Sequence, residues 1–334
     1  MYKPGPSNSL ADIDGIQVGH ASDAHVKTGT TVILCTASPA AGVDIRGGGP
    51  GLRETDVLNP ENQIGRADAI VLSGGTVFGL AAADGVTTAL AQQGIGLKKG
   101  RHLPTVPIVS SAILFDLTNG GHKDWADNPP YHALGIAALK DAQNNQDGIF
   151  SQGAVGAGTG AIAGIKQGGI GSTSLDLGDG VMVGALVAVN GVGSVYMPDG
   201  KTFWAQPFAI GDELGGQKAN PDQEAAIDPH PKDSKKVDHG PGTNTTIGVV
   251  ATSAKLTTAE CKRVAMMAHD GFARAIRPVH TPFDGDTIFC ISGGTVEIAD
   301  GDARHYMLSQ IGAAAADCMA RAVARGVYVA QKDN

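Results

Sequence analysis

The chain has 334 residues, with 25 basic and 33 acidic side chains and a formal net charge of −8. Aromatic residues make up only 4% of it and the basic residues form no cluster, which excludes the charged, aromatic-lined surface of a nucleic-acid-binding protein. No segment approaches the roughly 18 apolar residues of a transmembrane helix, and residues 1–15 lack the apolar core of a signal peptide. We therefore expect a cytoplasmic protein with no membrane or nucleic-acid partner.

The four cysteines are spaced too widely for a disulfide scaffold or a zinc site. Cys35, Cys261, Cys290 and Cys318 include no C-x-x-C pair, and we interpret them as reduced thiols of the core. Glycine, with 48 residues, is about twice as frequent as its usual share of roughly 7%, which indicates many tight turns between apolar segments.

Apolar, β-branched segments alternate with helical patterns along the first part of the chain. The predicted elements are a strand at 31–35, a strand at 69–73, a helix at 78–93, a strand at 107–117, a helix at 131–142 and a strand at 179–190. The Asn190-Gly191 dipeptide is typical of a two-residue hairpin turn, so the last of these strands is predicted to pair with residues 193–197.

The pattern changes at residues 206–243, a polar segment with several prolines and no periodicity. Long loops of this kind within a domain are unusual and often functional. Regular structure is then predicted to return with a strand at 246–252, a helix from the capping box of Thr257 and Glu260 to about residue 276, a strand at 287–292 and a helix at 303–325.

The common motifs of hydrolases and nucleotide-binding proteins are absent. The chain contains no G-x-S-x-G, H-E-x-x-H or G-x-x-x-x-G-K-[ST] sequence. The glycine run at 153–160 lacks the spacing of a dinucleotide-binding loop, and the D-G-D sequence at 284–286 lacks the remaining ligands of a calcium loop. We therefore predict no cofactor and no metal ion.

The segment GTNTT at 242–246 joins the polar loop to a buried strand, and by itself it is typical of a strand start. Its context resembles the L-aminopeptidase/D-esterase family of self-processing hydrolases, which includes β-aminopeptidases and the nylon-oligomer hydrolase. The similar motifs extend over nearly the whole chain and include RGGGPG at 46–51, LSGG at 72–75, AHDG at 268–271 and RPVHTPFDGD at 277–286.

The resemblance implies a four-layer α/β/β/α sandwich with two central sheets, of the self-cleaved N-terminal-nucleophile type. It implies that the single domain 1–334 is cut between Asn244 and Thr245 into a large subunit, 1–244, and a small subunit, 245–334, which stay together. Family members form multimers, so a homo-oligomer is also implied. The expected substrates are small amides, short peptides or esters, and no cofactor is implied.

The chemistry of an N-terminal threonine explains why cleavage is needed. A threonine hydroxyl is a weak nucleophile until a base takes its proton. The α-amine of a chain that begins at Thr245 has a pKa of roughly 7.7–8 and is able to accept that proton. Before cleavage this nitrogen belongs to an amide. The hydroxyl must therefore first attack the carbonyl of Asn244 in an N-to-O acyl shift, and hydrolysis of the ester then frees the amine.

Four further catalytic candidates follow from the resemblance. Asp284 and Asp286 match the acidic pair that orients the nucleophile in nylon-hydrolase-like members; residues two apart in a strand face the same side, although D-G-D is also typical of a turn. Asn190 matches an amide donor to the oxyanion, although Asn-Gly is also an ordinary hairpin signal. Lys166 is comparable to a lysine near the family's nucleophile, although a solvated loop lysine fits almost as well.

Two positions bear on the substrate. Phe115 stands where nylon-hydrolase-like members have a tyrosine, so a hydroxyl contact should be missing. Ile113 stands where the aminopeptidase branch has a glutamate that binds the substrate's ammonium group, and isoleucine cannot form that ion pair. Hydrolysis of amides or esters with less polar or ω-amino acyl groups is therefore as consistent with the sequence as strict aminopeptidase activity.

Two alternatives remain open at the level of the sequence. An acyltransferase of the ornithine-acetyltransferase type shares threonine self-cleavage but passes the acyl group to an amine instead of water. An uncleaved, non-enzymatic α/β binding protein would keep the fold without the chemistry.

Overall fold

The computed structural model describes residues 2–145, 147–218, 228–235 and 244–332. The strands are β1 (Ile16–Asp23), β2 (Thr28–Cys35), β3 (Ala41–Ile45), β4 (Leu52–Arg53), β5 (Ala69–Ser73), β6 (Val109–Ile113), β7 (Ile162–Ala163), β8 (Lys166–Gln167), β9 (Ile170–Asp176), β10 (Met182–Asn190), β11 (Thr245–Ala254) and β12 (Thr287–Val296). The α-helices are α1 (Ala81–Gln92), α2 (Tyr131–Asn144), α3 (Thr258–Ala275) and α4 (Asp302–Lys332).

The first sheet has the strand order β1-β2-β5-β6-β4. β5 and β6 are parallel, and the other neighbours are antiparallel. The helices α1 and α2 cover one face of this sheet. Alternate strand residues point to that face, so Val32, Leu34 and Val71 pack with Val86 and Leu139 of the helices.

The second sheet has the strand order β3-β12-β11-β10-β9. β11 and β12 are parallel, and the other neighbours are antiparallel. The helices α3 and α4 cover its outer face, where Val187 and Val250 pack with Phe272 and Met319. Gly248 allows the close approach of α4, because a Cβ at this position would lie only 2.8 Å from the terminal methyl of Met319.

The inner faces of the two sheets form a shared apolar layer. Ile33 and Leu72 of the first sheet pack there with Ile247 and Phe289 of the second. The order of layers is helices, sheet, sheet, helices, which confirms the predicted four-layer α/β/β/α sandwich. Because side chains alternate along a strand, Thr245 shares the inner face of β11 with Ile247 and lies at the edge of this layer.

The predicted hairpin between residues 179–190 and 193–197 is wrong. β10 pairs with β9 on one edge and with β11 on the other, so neither edge is open for residues 193–197. Ser194 instead exchanges two backbone hydrogen bonds with Arg277, at 2.8 and 3.0 Å. The Asn190-Gly191 signal is local, whereas the pairing of β10 with β11 and that of Ser194 with Arg277 join segments that are distant in the sequence.

The strand predicted at 107–117 is shorter, because the chain turns after β6. The carboxylate of Asp116 accepts hydrogen bonds from the N–H of Gly75 at 2.9 Å and from the hydroxyl of Thr28 at 2.6 Å. These bonds draw the residues after β6 toward the end of β5 and away from an extended path.

The other predicted elements keep their places with shifted ends. The helix predicted at 78–93 begins with a 3-10 turn, Thr76–Leu80, and the helix predicted at 303–325 continues to Lys332. Of the polar segment 206–243, the described residues contain a 3-10 turn, Gln206–Phe208. The predictions for residues 219–227 and 236–243 lie outside the described residues.

All four cysteines are buried and free, which confirms their interpretation as core thiols. Within the described ranges, none of the helices combines the length and apolarity needed to cross a bilayer.

Candidate active site

Two neighbouring strand ends bring Asn190 and Thr245 together. Thr245 begins β11 and lies opposite Asn190, the last residue of β10, in the antiparallel register. Only 2% of Thr245 and 0% of Asn190 is exposed. The sheet thereby places a hydroxyl beside a carboxamide, both shielded from water, at one edge of the central layer.

The peptide bond between Asn244 and Thr245 is held by the segment that precedes β12. The N–H of Asn244 donates to the carbonyl oxygen of Phe283 at 3.2 Å, and the N–H of Gly285 donates to the carbonyl oxygen of Asn244 at 3.0 Å. The hydroxyl of Thr245 also donates to this oxygen. The Asn244 carbonyl is therefore polarised by a fixed backbone donor while the hydroxyl of Thr245 lies against it.

Gly285 is a site residue that sequence reasoning missed. A Cβ at this position would lie 2.7 Å from Oγ1 of Thr245 and 2.8 Å from the carbonyl oxygen of Gly49. The absence of a side chain lets the backbone N–H come close to the Asn244 carbonyl. Both glycines belong to motifs that the sequence displays, but no local pattern shows that these two motifs meet.

Asp284 accepts hydrogen bonds from groups near the start of β11. Its Oδ1 accepts a hydrogen bond from the N–H of Val192 at 3.0 Å, and its Oδ2 accepts from the N–H and the hydroxyl of Thr281 at 3.1 and 2.6 Å. Burial, together with the nearby carboxylate of Asp286, raises the pKa of Asp284 above its usual value. The three hydrogen bonds oppose that increase because they favour the ionised form.

Asp286 binds Thr246, the residue that follows Thr245. Its Oδ1 accepts from the N–H of Thr246 at 2.8 Å. Its Oδ2 accepts from the N–H of His280 at 3.1 Å and lies 2.8 Å from Nδ1 of the same residue. The two predicted acids thus meet at the start of β11, and His280 holds Asp286 in place.

The carboxamide of Asn190 is oriented by backbone groups. Its Nδ2 donates to the carbonyl oxygen of Phe115 at 2.8 Å, and its Oδ1 accepts from the N–H of Ile162 at 2.9 Å. In the uncleaved chain the backbone donor on the Asn244 carbonyl is Gly285. The predicted role of Asn190 as a donor to the oxyanion stays a prediction.

Lys235 is the second site residue that the sequence reasoning missed. Its Nζ donates to Oδ1 of Asn244 at 2.8 Å and to the carbonyl oxygen and Oδ1 of Asn190 at 3.2 and 3.4 Å. Burial lowers the pKa of Lys235 to about 7, and the carboxylate of Asp284 opposes this decrease. No sequence signal distinguishes Lys235 from Lys232 in the same polar segment.

Lys166 occupies a neighbouring hairpin. It lies half-buried on β8, whose partner strand β7 contains Ile162, the residue that donates to Asn190. Within the described part of the chain, the lysine that hydrogen-bonds to Asn190 is Lys235. The catalytic role of Lys166 therefore stays a prediction from resemblance.

The two predicted substrate contacts lie at the end of β6. Phe115 is half-buried and contributes its carbonyl group to Asn190. Ile113 is buried beside Gly51, where a Cβ would lie 2.2 Å from its Cδ1. The role of these two residues in substrate binding stays a prediction.

Comparison with known proteins assigns the chain to a family. The sequence model of Peptidase family S58 matches residues 8–333. The chain belongs to this family. Family S58 membership makes it a hydrolase of peptide or amide bonds. Among the described residues, no group of three or more histidine, cysteine, aspartate or glutamate side chains is placed to hold a metal ion.

Known proteins and solved structures resemble the chain over most of its length. An uncharacterized aminopeptidase of Mycobacterium leprae is 42% identical, covering 98% of this chain and 91% of its own length. The 6-aminohexanoate-oligomer endohydrolase of Kocuria sp. is 31% identical over 86% of this chain and 75% of its own. The L-aminopeptidase D-Ala-esterase/amidase of Ochrobactrum anthropi, described as a variant of the Ntn hydrolase fold, superposes with a TM-score of 0.67 at 20% identity, covering 99% and 88%.

Proposed function

We propose that this S58 chain is a self-processing amidohydrolase that cleaves its own Asn244–Thr245 bond and then uses Thr245 as an N-terminal nucleophile. One observation carries the proposal. The hydroxyl of Thr245 lies against the carbonyl of Asn244, and the N–H of Gly285 donates to the same oxygen at 3.0 Å. A nucleophile, its target and a preorganised donor to the developing oxyanion are therefore assembled around one bond.

The cleavage reaction proceeds in two balanced steps. In the first, Oγ1 of Thr245 bonds to the carbonyl carbon of Asn244, its proton passes to the departing Thr245 nitrogen, and the amide becomes an ester with a free amine. In the second, one water molecule hydrolyses the ester, which restores the hydroxyl and leaves a carboxylate on Asn244. The product amine has a pKa of roughly 7.7–8, so it is able to accept the hydroxyl proton in later turnovers.

Sheet pairing supports the proposal that the fragments stay together. The fragment 245–334 supplies β11 and β12, which lie in the middle of the second sheet, between β10 and β3 of the fragment 1–244. A buried ion pair also crosses the division, with Nε of Arg321 at 2.7 Å from Oε1 of Glu213. Separation of the fragments would open both sides of the sheet and leave a charge unpaired.

The proposed substrates are short peptides, small amides or esters, hydrolysed through an acyl ester on Thr245. The composition is the basis for a proposed cytoplasmic location. The family resemblance is the basis for a proposed homo-oligomer of processed subunits. Hydrolysis of an aminoacyl p-nitroanilide measures the activity directly, because the released amine is coloured.

Substitution at Thr245 tests the proposal. Thr245→Ala should remain a single chain and release no p-nitroaniline, whereas Thr245→Ser keeps a hydroxyl and should be cleaved. The matched control is Thr246→Val. It keeps the backbone N–H that donates to Asp286, and it removes a hydroxyl that has no hydrogen-bond partner among the described residues. Cleavage or hydrolysis by Thr245→Ala at the wild-type rate would remove Thr245 from the mechanism.

A further inference from the structure

The intact chain displays how the site holds an acyl group. If Thr245 attacks the carbonyl of Asn244, then Asn244 is the acyl part of the first substrate that the site processes. The groups that bind Asn244 therefore outline the subsite in which a later substrate places its own acyl residue. This inference rests on the proposed function of the preceding section.

The main chain of Asn244 is bound as one residue of an extended peptide. Its N–H donates to Phe283 at 3.2 Å and its carbonyl oxygen accepts from Gly285 at 3.0 Å, so it forms a parallel bridge with Asp284. The donor and the acceptor are separated by a single α-carbon. An α-amino acyl residue reproduces both bonds, whereas an ω-amino acyl chain places its nitrogen several carbons farther away.

The side chain of Asn244 is bound by a cation. Nζ of Lys235 donates to its Oδ1 at 2.8 Å, the shortest of the three hydrogen bonds described for this nitrogen. An ammonium group has three donors, and here they are directed to Oδ1 of Asn244 and to two oxygens of Asn190. Hydrogen bonds from charged donors are stronger than those between neutral groups.

The lysine is anchored independently of Asn244. The N–H of Lys235 donates to the carbonyl oxygen of Val192 at 2.9 Å, and the carbonyl oxygen of Asp233 accepts from Ile165 at 3.0 Å. These contacts lie within the fragment 1–244 and do not involve the scissile bond. Cleavage therefore leaves the ammonium group at Asn190, which lies opposite Thr245.

We propose that Lys235 is a specificity-determining residue of the acyl subsite, which takes α-amino acyl residues with a hydrogen-bond acceptor on the γ-carbon, as in asparaginyl and aspartyl groups. The acceptor of the substrate takes the place of Oδ1 of Asn244 after cleavage, once Asn244 has left the subsite. An ammonium group at the same place is repelled by the ammonium group of Lys235. The site thereby selects against acyl groups that carry an amine in this position.

Three chromogenic substrates test the proposal on the processed wild-type enzyme. N-acetyl-asparagine p-nitroanilide carries the acceptor, the leucine analogue has the same shape without it, and the 2,4-diaminobutyrate analogue places an ammonium group there. The asparagine substrate should exceed the leucine substrate in kcat/KM by about tenfold or more, as expected for a charge-assisted hydrogen bond, and the diaminobutyrate substrate should be the poorest. Equal or reversed preferences, or no hydrolysis of all three by fully cleaved enzyme, would overturn the proposal.

Self-cleavage of the intact chain provides the second test, because it needs no added substrate. Time courses from cell-free synthesis compare Lys235→Met, Asn244→Leu and the double variant, with Lys232→Met as the exposed control from the same segment. Each single substitution should slow cleavage about tenfold, and the double variant should be no slower than either one. Additive effects would mean that Lys235 does not act through Asn244. A wild-type chain that never cleaves would instead contradict the proposed function itself.

Discussion

The substitution Gly285→Ala changes the site by one methyl group and removes none of the proposed catalytic side chains. Gly285 is not among the residues with positive φ, so alanine adopts this backbone conformation without strain. The added Cβ would lie 2.7 Å from Oγ1 of Thr245 and 2.8 Å from the carbonyl oxygen of Gly49. Oγ1 would have to recede by about 0.7 Å to reach an ordinary contact of 3.4 Å.

A displacement of about 1 Å in an aligned reactive pair costs about 100-fold in rate. We therefore expect Gly285→Ala to slow self-cleavage by tens of times to about 100-fold, although the N–H that donates to Asn244 is retained. The assay is the fraction of intact chain on denaturing gels at intervals after cell-free synthesis. The control is Gly100→Ala, whose Cβ would meet its nearest atom, Cδ1 of Leu103, at 3.5 Å.

Thermal unfolding of both glycine variants, followed by circular dichroism, separates a local effect from a loss of the fold. A folded Gly285→Ala protein that cleaves at the wild-type rate would refute the reasoning, because it would show that the hydroxyl does not react from the position described.

Three further predictions concern charged groups. Self-cleavage should fall as the pH decreases through the raised pKa of Asp284, because a protonated carboxyl group donates from one oxygen and no longer accepts from both Val192 and Thr281. This acid limb should be absent in Asp284→Asn, which should be slow at every pH in the same rate assay. In the uncleavable Thr245→Ala chain, Lys235→Met should raise the melting temperature at pH 6, because burial of the charged ammonium group destabilises the folded state. This increase should become smaller as the pH rises from 7 toward 10 and Lys235 loses its proton. An equal increase at all pH values would contradict burial as the cause of the lowered pKa. Arg321→Met should destabilise the protein by about 3–5 kcal/mol in urea unfolding, because it leaves the carboxylate of Glu213 buried and unpaired, and a change within error would contradict a buried ion pair.

The parts of the site that the sequence predicts are those that lie in contiguous motifs. Thr245 stands at the junction of a polar segment and a buried strand, and Asp284 and Asp286 lie in one short motif beside β12. Their convergence on the start of β11 follows from a parallel pairing with β12 that the strand, helix, strand pattern favours. The sequence places Asn190 at the end of its strand but does not identify the strands that pair with it.

The parts that the sequence does not predict depend on contacts between distant segments. The Asn190-Gly191 dipeptide favours a local hairpin, yet the edges of β10 are occupied by β9 and β11. In the sequence, Lys235 looks like any solvated lysine of a polar loop. Its place in the site depends on the hydrogen bond to the backbone of Val192, which holds it next to Asn190. In the sequence, Gly285 looks like an ordinary turn glycine. Its role depends on the backbone of Gly49, which packs against it. In each case a neighbour more than 40 residues away decides the role.

The intact mass of the purified protein under denaturing conditions tests the central claim most directly. Self-processing predicts two polypeptides, the smaller beginning at Thr245, whose masses add up to that of the 33.9 kDa chain plus one water molecule. In Thr245→Ala the same measurement should give one species at the full mass. A wild-type protein that remains a single 33.9 kDa species while it hydrolyses p-nitroanilides would contradict the account, because catalysis would then proceed without a free amine on Thr245.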